Sequence, residues 1–177
     1  MTQEDGDAGD EFIVLSEPDL VTWGAEIGRA AQEGSVFVAL YGQLGAGKST
    51  VVRAACRALG VRGQVPSPTF TLVNLYEGDS GSIQHVDLYR LDPPVDSRTL
   101  IDAGWPAVLE AEGPVFVEWA DRAEGWLPAD RWDVWLRRIS DPEVREVSIE
   151  SRGTAPPAPR PASPLGTPGR AESEPGC

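Results

Sequence analysis

Lysine, cysteine, histidine and long apolar runs are all scarce in this chain of 177 residues. Of its 15 basic residues Lys48 is the sole lysine, and the chain has two cysteines and one histidine. Cys56 lies in a helical pattern and Cys177 is the last residue, so no disulfide framework is visible. This favours a reducing compartment, with the cytosol as the expected location. A chain of this length forms a core without cross-links.

Targeting and membrane signals are also missing. The first residues are acidic, with Glu4, Asp5 and Asp7, and lack the basic flank and apolar stretch of an export signal. The longest apolar run, from Val36 to Tyr41, is far shorter than the roughly 20 residues that span a bilayer. The net charge of −13 argues against a protein that binds nucleic acid over its whole surface, because such binding needs clustered basic residues. Any nucleic-acid role is therefore local or indirect, and no membrane role is expected.

Composition divides the chain into three parts. Residues 1–10 are acidic and poor in apolar groups, which predicts a flexible lead. Residues 152–177 are rich in proline, without apolar periodicity, and are predicted to form a disordered tail. Residues 11–151 are left as a single folded domain.

Within the domain, apolar runs alternate with stretches of helical spacing, which predicts an α/β fold. The final two strands alternate with period two on either side of Asp141 and Pro142, as expected of an antiparallel hairpin with one solvent-facing side. The sheet is therefore expected to be mixed. The predicted strands are 11–15, 35–41, 69–76, 83–88, 114–119, 131–139 and 143–149, and the predicted helices are 17–34, 48–59, 97–103 and 106–112.

The segment Gly42–Ser49 matches the P-loop pattern G-x-x-x-x-G-K-[ST] without a gap. Its glycines let successive backbone N–H groups turn toward phosphate oxygens at the start of a helix. Lys48 supplies a positive charge for the β- and γ-phosphates, and Ser49 offers a hydroxyl to Mg²⁺. Such matches arise by chance in glycine-rich chains, but here an apolar strand precedes the loop and a helical pattern follows it. The motif predicts a nucleotide site.

Two acids end apolar strands, Asp87 after residues 83–86 and Glu118 after residues 115–117. In an open α/β sheet such strand ends meet at the edge where the P-loop also lies, so both acids are candidates to hold Mg²⁺ and orient water. Alternatively, each could cap the segment that follows it. His85 would share a strand face with Asp87, as a site residue or as a buried structural histidine. Trp119 could cover the nucleotide or pack in the core.

Four segments, in their order and spacing, resemble the TsaE family of small ATPases: Leu44–Ser49, Ser67–Val73, His85–Leu91 and Val117–Trp119. The similarity extends from Glu17 to Glu150. It implies a P-loop NTPase-like three-layer α/β fold with a mixed central sheet and a C-terminal antiparallel hairpin. It also implies an ATPase that works with the TsaB–TsaD pair, which makes threonylcarbamoyladenosine at tRNA position 37. The chain would then meet tRNA only through that complex.

The resemblance also implies roles for single residues. Mg²⁺ would be held by Ser49, Asp87 and Glu118, and Lys48 would act with both acids in catalysis. Thr69, in a switch segment spanning residues 67–71, would contact the γ-phosphate, although residues 67–69 could also be a simple turn before a strand. The residues implied to bind ATP are Leu44, Gly45, Ala46, Gly47, Lys48, Ser49, Thr50 and Trp119.

The sequence departs from the family at two positions. Gln43 stands where the family usually has Asp or Asn, and Ser49 where it usually has Thr. Neither change removes a needed group. No arginine finger is visible in the motifs, so we expect weak ATPase activity alone and stimulation by TsaB–TsaD.

Two other functions share the P-loop. A small-molecule kinase usually carries an arginine-rich lid, and Arg137 and Arg138 lie in the terminal hairpin, a poor position for one. A guanine-nucleotide switch needs an Asn-Lys-x-Asp motif, which is impossible with a single lysine at position 48. The TsaE-like ATPase is therefore the preferred interpretation.

Overall fold

The structure is a computed structural model, and it describes residues 12–93 and 95–162. The predictions for residues 1–10 and 163–177 therefore lie outside the described residues. The elements are β1 (Ile13–Ser16), α1 (Glu17–Gly34), β2 (Phe37–Tyr41), α2 (Lys48–Ala58), β3 (Val73–Gly78), β4 (Gly81–Asp87), α3 (Ser97–Asp102), α4 (Trp105–Leu109), β5 (Val115–Glu118), a 3₁₀ helix (Ala120–Trp126), β6 (Arg131–Arg138) and β7 (Val144–Arg152).

Within the described residues, seven strands form one sheet in the order β1-β7-β6-β2-β5-β4-β3. The centre is parallel, because β2 pairs with both β5 and β6, and β4 pairs with β5. The edges are antiparallel, through the pairs β3–β4, β6–β7 and β1–β7. The predicted mixed sheet and C-terminal antiparallel hairpin are confirmed.

Helices cover both faces of the sheet and make three layers, as predicted. The larger core lies between one face and helices α1 and α2, where Trp23, Val51 and Phe116 are buried. The smaller core lies on the other face, where Leu100 and Trp105 of the shorter helices are buried. Removing this apolar surface from water is the main stabilising contribution to the fold.

Helix α1 fixes the position of the helix that follows the P-loop. Ser16 caps its first turn, since the Ser16 hydroxyl accepts a hydrogen bond from the backbone N–H of Asp19 at 3.4 Å, and the helix ends at Gly34 as predicted. A Cβ on Gly28 would lie 2.7 Å from the Cα of Ala55 in α2. Glycine is therefore required at this position for the two helices to pack so closely.

The main local differences from the predictions lie at β3, at α4 and after β5. Strand β3 begins at Val73 rather than at residue 69, because the Pro68 carbonyl accepts hydrogen bonds from the N–H groups of Thr71 and Leu72 and closes a turn there. Leu72 completes this turn with a left-handed φ of 63°. Helix α4 ends at Leu109 instead of residue 112. The 3₁₀ helix after β5 has no counterpart in the prediction.

The hairpin side predicted to face solvent contains a buried acid. Asp133 is 2 % exposed. Its Oδ1 accepts hydrogen bonds from Arg131 Nε at 2.7 Å and from the Tyr41 hydroxyl at 3.1 Å, and its Oδ2 accepts one from Arg152 Nε at 2.8 Å. Burial, and then the charge of Asp133, raises the pKa of Tyr41. The side predicted to face solvent is therefore only partly exposed, because alternation does not reveal these partners of Asp133.

The segment after β7 also differs from the prediction of a tail disordered from residue 152. Residues 153–162, here called the C-terminal strap, lie against the larger core. The indole N–H of Trp132 donates to the Pro156 carbonyl at 2.7 Å, and that of Trp23 donates to the Pro159 carbonyl at 2.8 Å. Ala155 packs against the core beside them. Tertiary contacts with two tryptophans therefore order a segment without apolar periodicity.

Two expectations about compartment can be compared with the structure. In residues 12–93 and 95–162, every helix is too short or too polar to cross a bilayer. Cys56 is a free, buried thiol, and burial raises its pKa to about 12. The thiol therefore stays protonated and unreactive at neutral pH. The cytosolic location remains a prediction.

Candidate functional site

The P-loop joins the end of β2 to the start of α2. Its glycines take up backbone conformations that other residues rarely adopt, with φ of 139° at Gly42 and 106° at Gly47. A Cβ on Gly42 would lie 2.2 Å from the Leu136 carbonyl oxygen, and one on Gly47 would lie 2.8 Å from Leu20 Cδ2. Glycine is therefore needed at both positions for the loop to fit between β6 and α1.

Lys48 is nearly buried at the first position of α2, with 4 % of its surface exposed. Its Nζ donates hydrogen bonds to the carbonyls of Gly42 and, at 3.1 Å, Gln43. The same ammonium lies 3.7 Å from the centroid of the Trp119 ring. Burial lowers the pKa of Lys48, and the negative charges of Glu118, Asp121 and Asp87 oppose that shift. The P-loop thus holds a cation beside the carboxyl ends of the central parallel strands.

The two predicted acids lie side by side at the ends of adjacent parallel strands. Asp87 of β4 is in register with Glu118 of β5, and their exposures are only 3 % and 2 %. Asp87 Oδ2 accepts hydrogen bonds from Ser67 Oγ at 2.5 Å and Thr69 Oγ1 at 2.6 Å. Its Oδ1 accepts one from the Tyr89 N–H at 2.9 Å. The predicted switch residue Thr69 therefore contacts a predicted metal ligand.

Glu118 links the P-loop helix to the sheet. Its Oε2 accepts a hydrogen bond from Ser49 Oγ at 2.8 Å, and its Oε1 lies 2.9 Å from His85 Nε2. His85 is completely buried and shares the strand face of Asp87, as predicted. A histidine of undecided role is thus in direct contact with one of the predicted metal ligands.

The donor set suits Mg²⁺. It consists of the Ser49 hydroxyl and the carboxylates of Asp87 and Glu118, all hard oxygen ligands. The described part of the chain has no group of three or more His, Cys, Asp or Glu residues able to hold a metal on its own. Mg²⁺ commonly takes one or two carboxylates and completes its coordination with phosphate and water. The residues present fit that mode of binding.

A cavity of about 490 Å³ opens over these groups. Several residues absent from the motifs also line it, among them Arg53 one turn into α2 and Arg145 from β7. Arg145 Nη1 donates to the carbonyls of Pro142 at 2.7 Å and Val144 at 2.6 Å. Every residue predicted for the site lines this cavity: Leu44, Gly45, Ala46, Gly47, Lys48, Ser49, Thr50, Thr69, Asp87, Glu118 and Trp119.

Sequence analysis missed these additional residues for different reasons. Arg53 lies four positions after Ser49 on the same helix, so helical spacing could have suggested it. Glu17, Glu143 and Arg145 lie far from the motifs in sequence, and only strand pairing across β1, β7 and β6 brings them to the cavity. Trp119 both lines the cavity and packs against the smaller core, so its two alternatives are compatible.

The glycine loop between a central parallel strand and a helix, facing two acids at neighbouring strand ends, defines a P-loop α/β protein of the nucleotide-binding class. The sequence model of the family described as "Threonylcarbamoyl adenosine biosynthesis protein TsaE" matches residues 14–147. The chain belongs to the TsaE family, whose proteins are involved in the biosynthesis of threonylcarbamoyladenosine in tRNA. The resemblance of the four motifs is confirmed.

Curated relatives support this assignment. The chain is 35 % identical over 137 residues to the tRNA threonylcarbamoyladenosine biosynthesis protein TsaE of Treponema pallidum, covering 77 % of this chain and 97 % of that protein. It is 43 % identical over 114 residues to the protein of the same name from Aquifex aeolicus, covering 63 % and 77 % of the two chains. The crystal structure of Bacillus subtilis YdiB superposes with a TM-score of 0.61 at 24 % identity, covering 81 % and 88 %, which supports the fold.

Proposed function

We propose that this chain binds and hydrolyses MgATP as the ATPase component of threonylcarbamoyladenosine synthesis at tRNA position 37. The observation that carries the proposal is the meeting of Lys48, Asp87 and Glu118 in one cavity, in a chain of the TsaE family. The partner would be the TsaB–TsaD pair, and tRNA would be reached only through that complex.

The phosphate end of ATP would bind against the P-loop. The backbone N–H groups at the start of α2 and the ammonium of Lys48 supply positive charge for it. In the described conformation that ammonium rests on the carbonyls of Gly42 and Gln43, so binding would exchange carbonyl oxygens for phosphate oxygens. Because Lys48 is already buried and surrounded, little side-chain freedom remains to be lost on binding.

Mg²⁺ would be held by Ser49, Asp87 and Glu118, and when bound it would neutralise charge on the phosphates. Asp87 and Glu118 are also the acids available to orient the attacking water, each already fixed by hydrogen bonds. Thr69 donates a hydrogen bond to Asp87, so binding of Mg²⁺ at that carboxylate would change the conformation of the segment around residue 70. Phosphoryl transfer depends mainly on positioning and charge stabilisation, so an incompletely assembled site turns over slowly.

Exposed apolar side chains around the cavity support dependence on a partner. Leu44 and Tyr89 line the cavity and are 67 % and 41 % exposed, and Phe70, next to Thr69, is 82 % exposed. A cluster of exposed apolar groups beside a polar site is typical of a protein interface. Docking of TsaB–TsaD over this rim would shield the cavity from bulk water, while the attacking water stays held by the acids, and would raise the rate of hydrolysis.

The test is ATP hydrolysis by the purified chain, alone and with TsaB and TsaD. We expect slow turnover alone, a clear increase with both partners, and formation of threonylcarbamoyladenosine only in the complete mixture. Lys48→Ala should weaken ATP binding by about 100-fold, because charged hydrogen bonds to phosphate are lost. Arg57→Ala, on an exposed part of the same helix, is the matched control and should bind as wild type. Equal rates with and without the partners would reject the partnership.

A further inference from the structure

Within residues 12–93 and 95–162, the side chain of the buried histidine of β4 has one polar contact, and that contact is in the candidate site. His85 is 0 % exposed, and its Nε2 lies 2.9 Å from Glu118 Oε1. The other carboxylate oxygen of Glu118 accepts the hydroxyl of Ser49 at 2.8 Å. Glu118 is thus held at both oxygens, by the P-loop helix on one side and by β4 on the other.

The second ring nitrogen decides which tautomer is favoured. Among the described residues, His85 Nδ1 is buried and has no hydrogen-bond partner. If Nδ1 carried the proton, a buried N–H would be unsatisfied and the Nε2 lone pair would face a carboxylate. With the proton on Nε2, the imidazole donates to Glu118 and only an acceptor is left without a partner. The contacts therefore favour a proton on Nε2.

We propose that His85 is a positioning residue for Glu118, donating its Nε2–H to fix this carboxylate beside Ser49 at the candidate Mg²⁺ site. The proposal rests on the proposed function for its consequence, but the hydrogen bond can be tested without activity. Groups that orient metal ligands by hydrogen bonding change metal affinity by roughly 10- to 100-fold when removed. A histidine with a purely structural role would instead be satisfied by a backbone carbonyl and would leave the metal dependence unchanged.

The first test uses the fact that His85 is the sole histidine of the chain. Nitrogen-15 labelling of histidine, followed by two-dimensional NMR at neutral pH on the full chain, gives a single set of imidazole signals. We expect Nε2 to carry a proton. A spectrum in which Nε2 carries no proton overturns the proposal, whatever the activity of the protein.

The second test measures binding of a non-hydrolysable ATP analogue by calorimetry, with and without Mg²⁺. His85→Leu removes the donor at similar size and should reduce the gain in affinity from Mg²⁺ by about tenfold or more. His85→Gln keeps an N–H donor and should retain more of that gain. Tyr76→Phe is the matched control, because Tyr76 packs 6.5 Å from the His85 ring without contacting Glu118.

The outcomes separate this proposal from the proposed function. An unchanged Mg²⁺ gain in folded His85→Leu overturns the positioning role. If the leucine variant does not fold, the tautomer in the wild-type chain still decides the question. If the wild type binds no nucleotide at all, the proposed function fails, and the NMR result still tests the hydrogen bond between His85 and Glu118.

Discussion

Two groups of buried carboxylates on one sheet have opposite surroundings. Asp133, on the C-terminal hairpin, forms ion pairs with Arg131 and Arg152 at 2.7 and 2.8 Å and is 2 % exposed. Asp87 and Glu118 are as deeply buried, but their hydrogen bonds come from hydroxyl groups, a backbone N–H and the His85 ring. Asp133 is paired with two arginines, whereas the cation that acts on Asp87 and Glu118 is Lys48, whose ammonium also donates to two loop carbonyls.

The difference has a physical meaning. A buried charge is costly unless paired, and Asp133 meets this requirement with two guanidinium groups of fixed geometry. Asp87 and Glu118 are two like charges in neighbouring strand positions, with Lys48 as the nearby cation that acts on both. The repulsion between these two charges would be relieved by the divalent cation that we propose for this site. The acids proposed to bind Mg²⁺ therefore differ from Asp133 in having hydroxyl, amide and imidazole donors in place of guanidinium groups.

The largest expected effect on stability is at Asp133, the acid paired with two arginines. Asp133→Asn keeps the shape but removes the charge that pairs with Arg131 and Arg152, so we expect the free energy of unfolding to fall by about 3 kcal/mol. The value is at the low end for a broken buried ion pair because Arg152 is 41 % exposed and can be solvated. Urea denaturation measures it. The affinity for ATP should not change, and a loss of ATP binding would mean that the two acidic groups are coupled.

The C-terminal strap follows Arg152, which pairs with the buried Asp133. Truncation after Gly153 removes the carbonyls that accept the indole N–H groups of Trp23 and Trp132, each worth about 1 kcal/mol. We expect thermal denaturation to report a loss of about 2 kcal/mol relative to a matched truncation after Ala162. Equal stability of the two truncations would show that the strap contributes nothing to the larger core.

A smaller effect on stability is expected at the acids of the candidate site. Asp87→Asn removes one of two adjacent like charges but also replaces one accepting oxygen with a donor, so the two effects oppose each other and the free energy of unfolding should change by less than about 1 kcal/mol. The Mg²⁺-dependent part of ATP hydrolysis should nevertheless be lost. Parallel urea curves for Asp87→Asn and Asp133→Asn give a direct comparison. If both substitutions destabilise the chain equally, the distinction between the two groups of acids is wrong.

The smallest expected effect is a pH dependence at the start of the strap. Asp130 Oδ1 accepts the backbone N–H of Thr154 at 2.7 Å, and this hydrogen bond lowers the pKa of Asp130. A lowered pKa in the folded state means that the contribution is complete above about pH 4 and is lost as the pH falls through the lower, folded-state pKa. The amide chemical shift of Thr154 should follow this titration. Asp130→Asn should remove the dependence, and an unchanged titration in that variant would contradict the assignment.

Local pattern was sufficient to predict much of the fold and the centre of the site. Periodicity predicted α1, α2 and the paired strands, because amphipathic spacing is a property of neighbouring residues. The P-loop was predicted for the same reason, since Gly42, Gly47 and Lys48 act within one short segment. Asp87 and Glu118 could be found because each ends an apolar strand. Their meeting then followed from a general rule about the carboxyl ends of parallel strands.

The sequence by itself therefore determined the elements, the phosphate loop and the acids that face it. Only the tertiary structure decided the partners: the pairing of His85 with Glu118, the burial of Asp133 between two arginines, the arrival of Arg145 at the cavity and the packing of the C-terminal strap on Trp23 and Trp132. Each joins residues distant along the chain, and such contacts depend on strand order and helix packing. Hydrophobic periodicity specifies which face of an element is buried. It does not specify which polar group of a distant segment will contact that element.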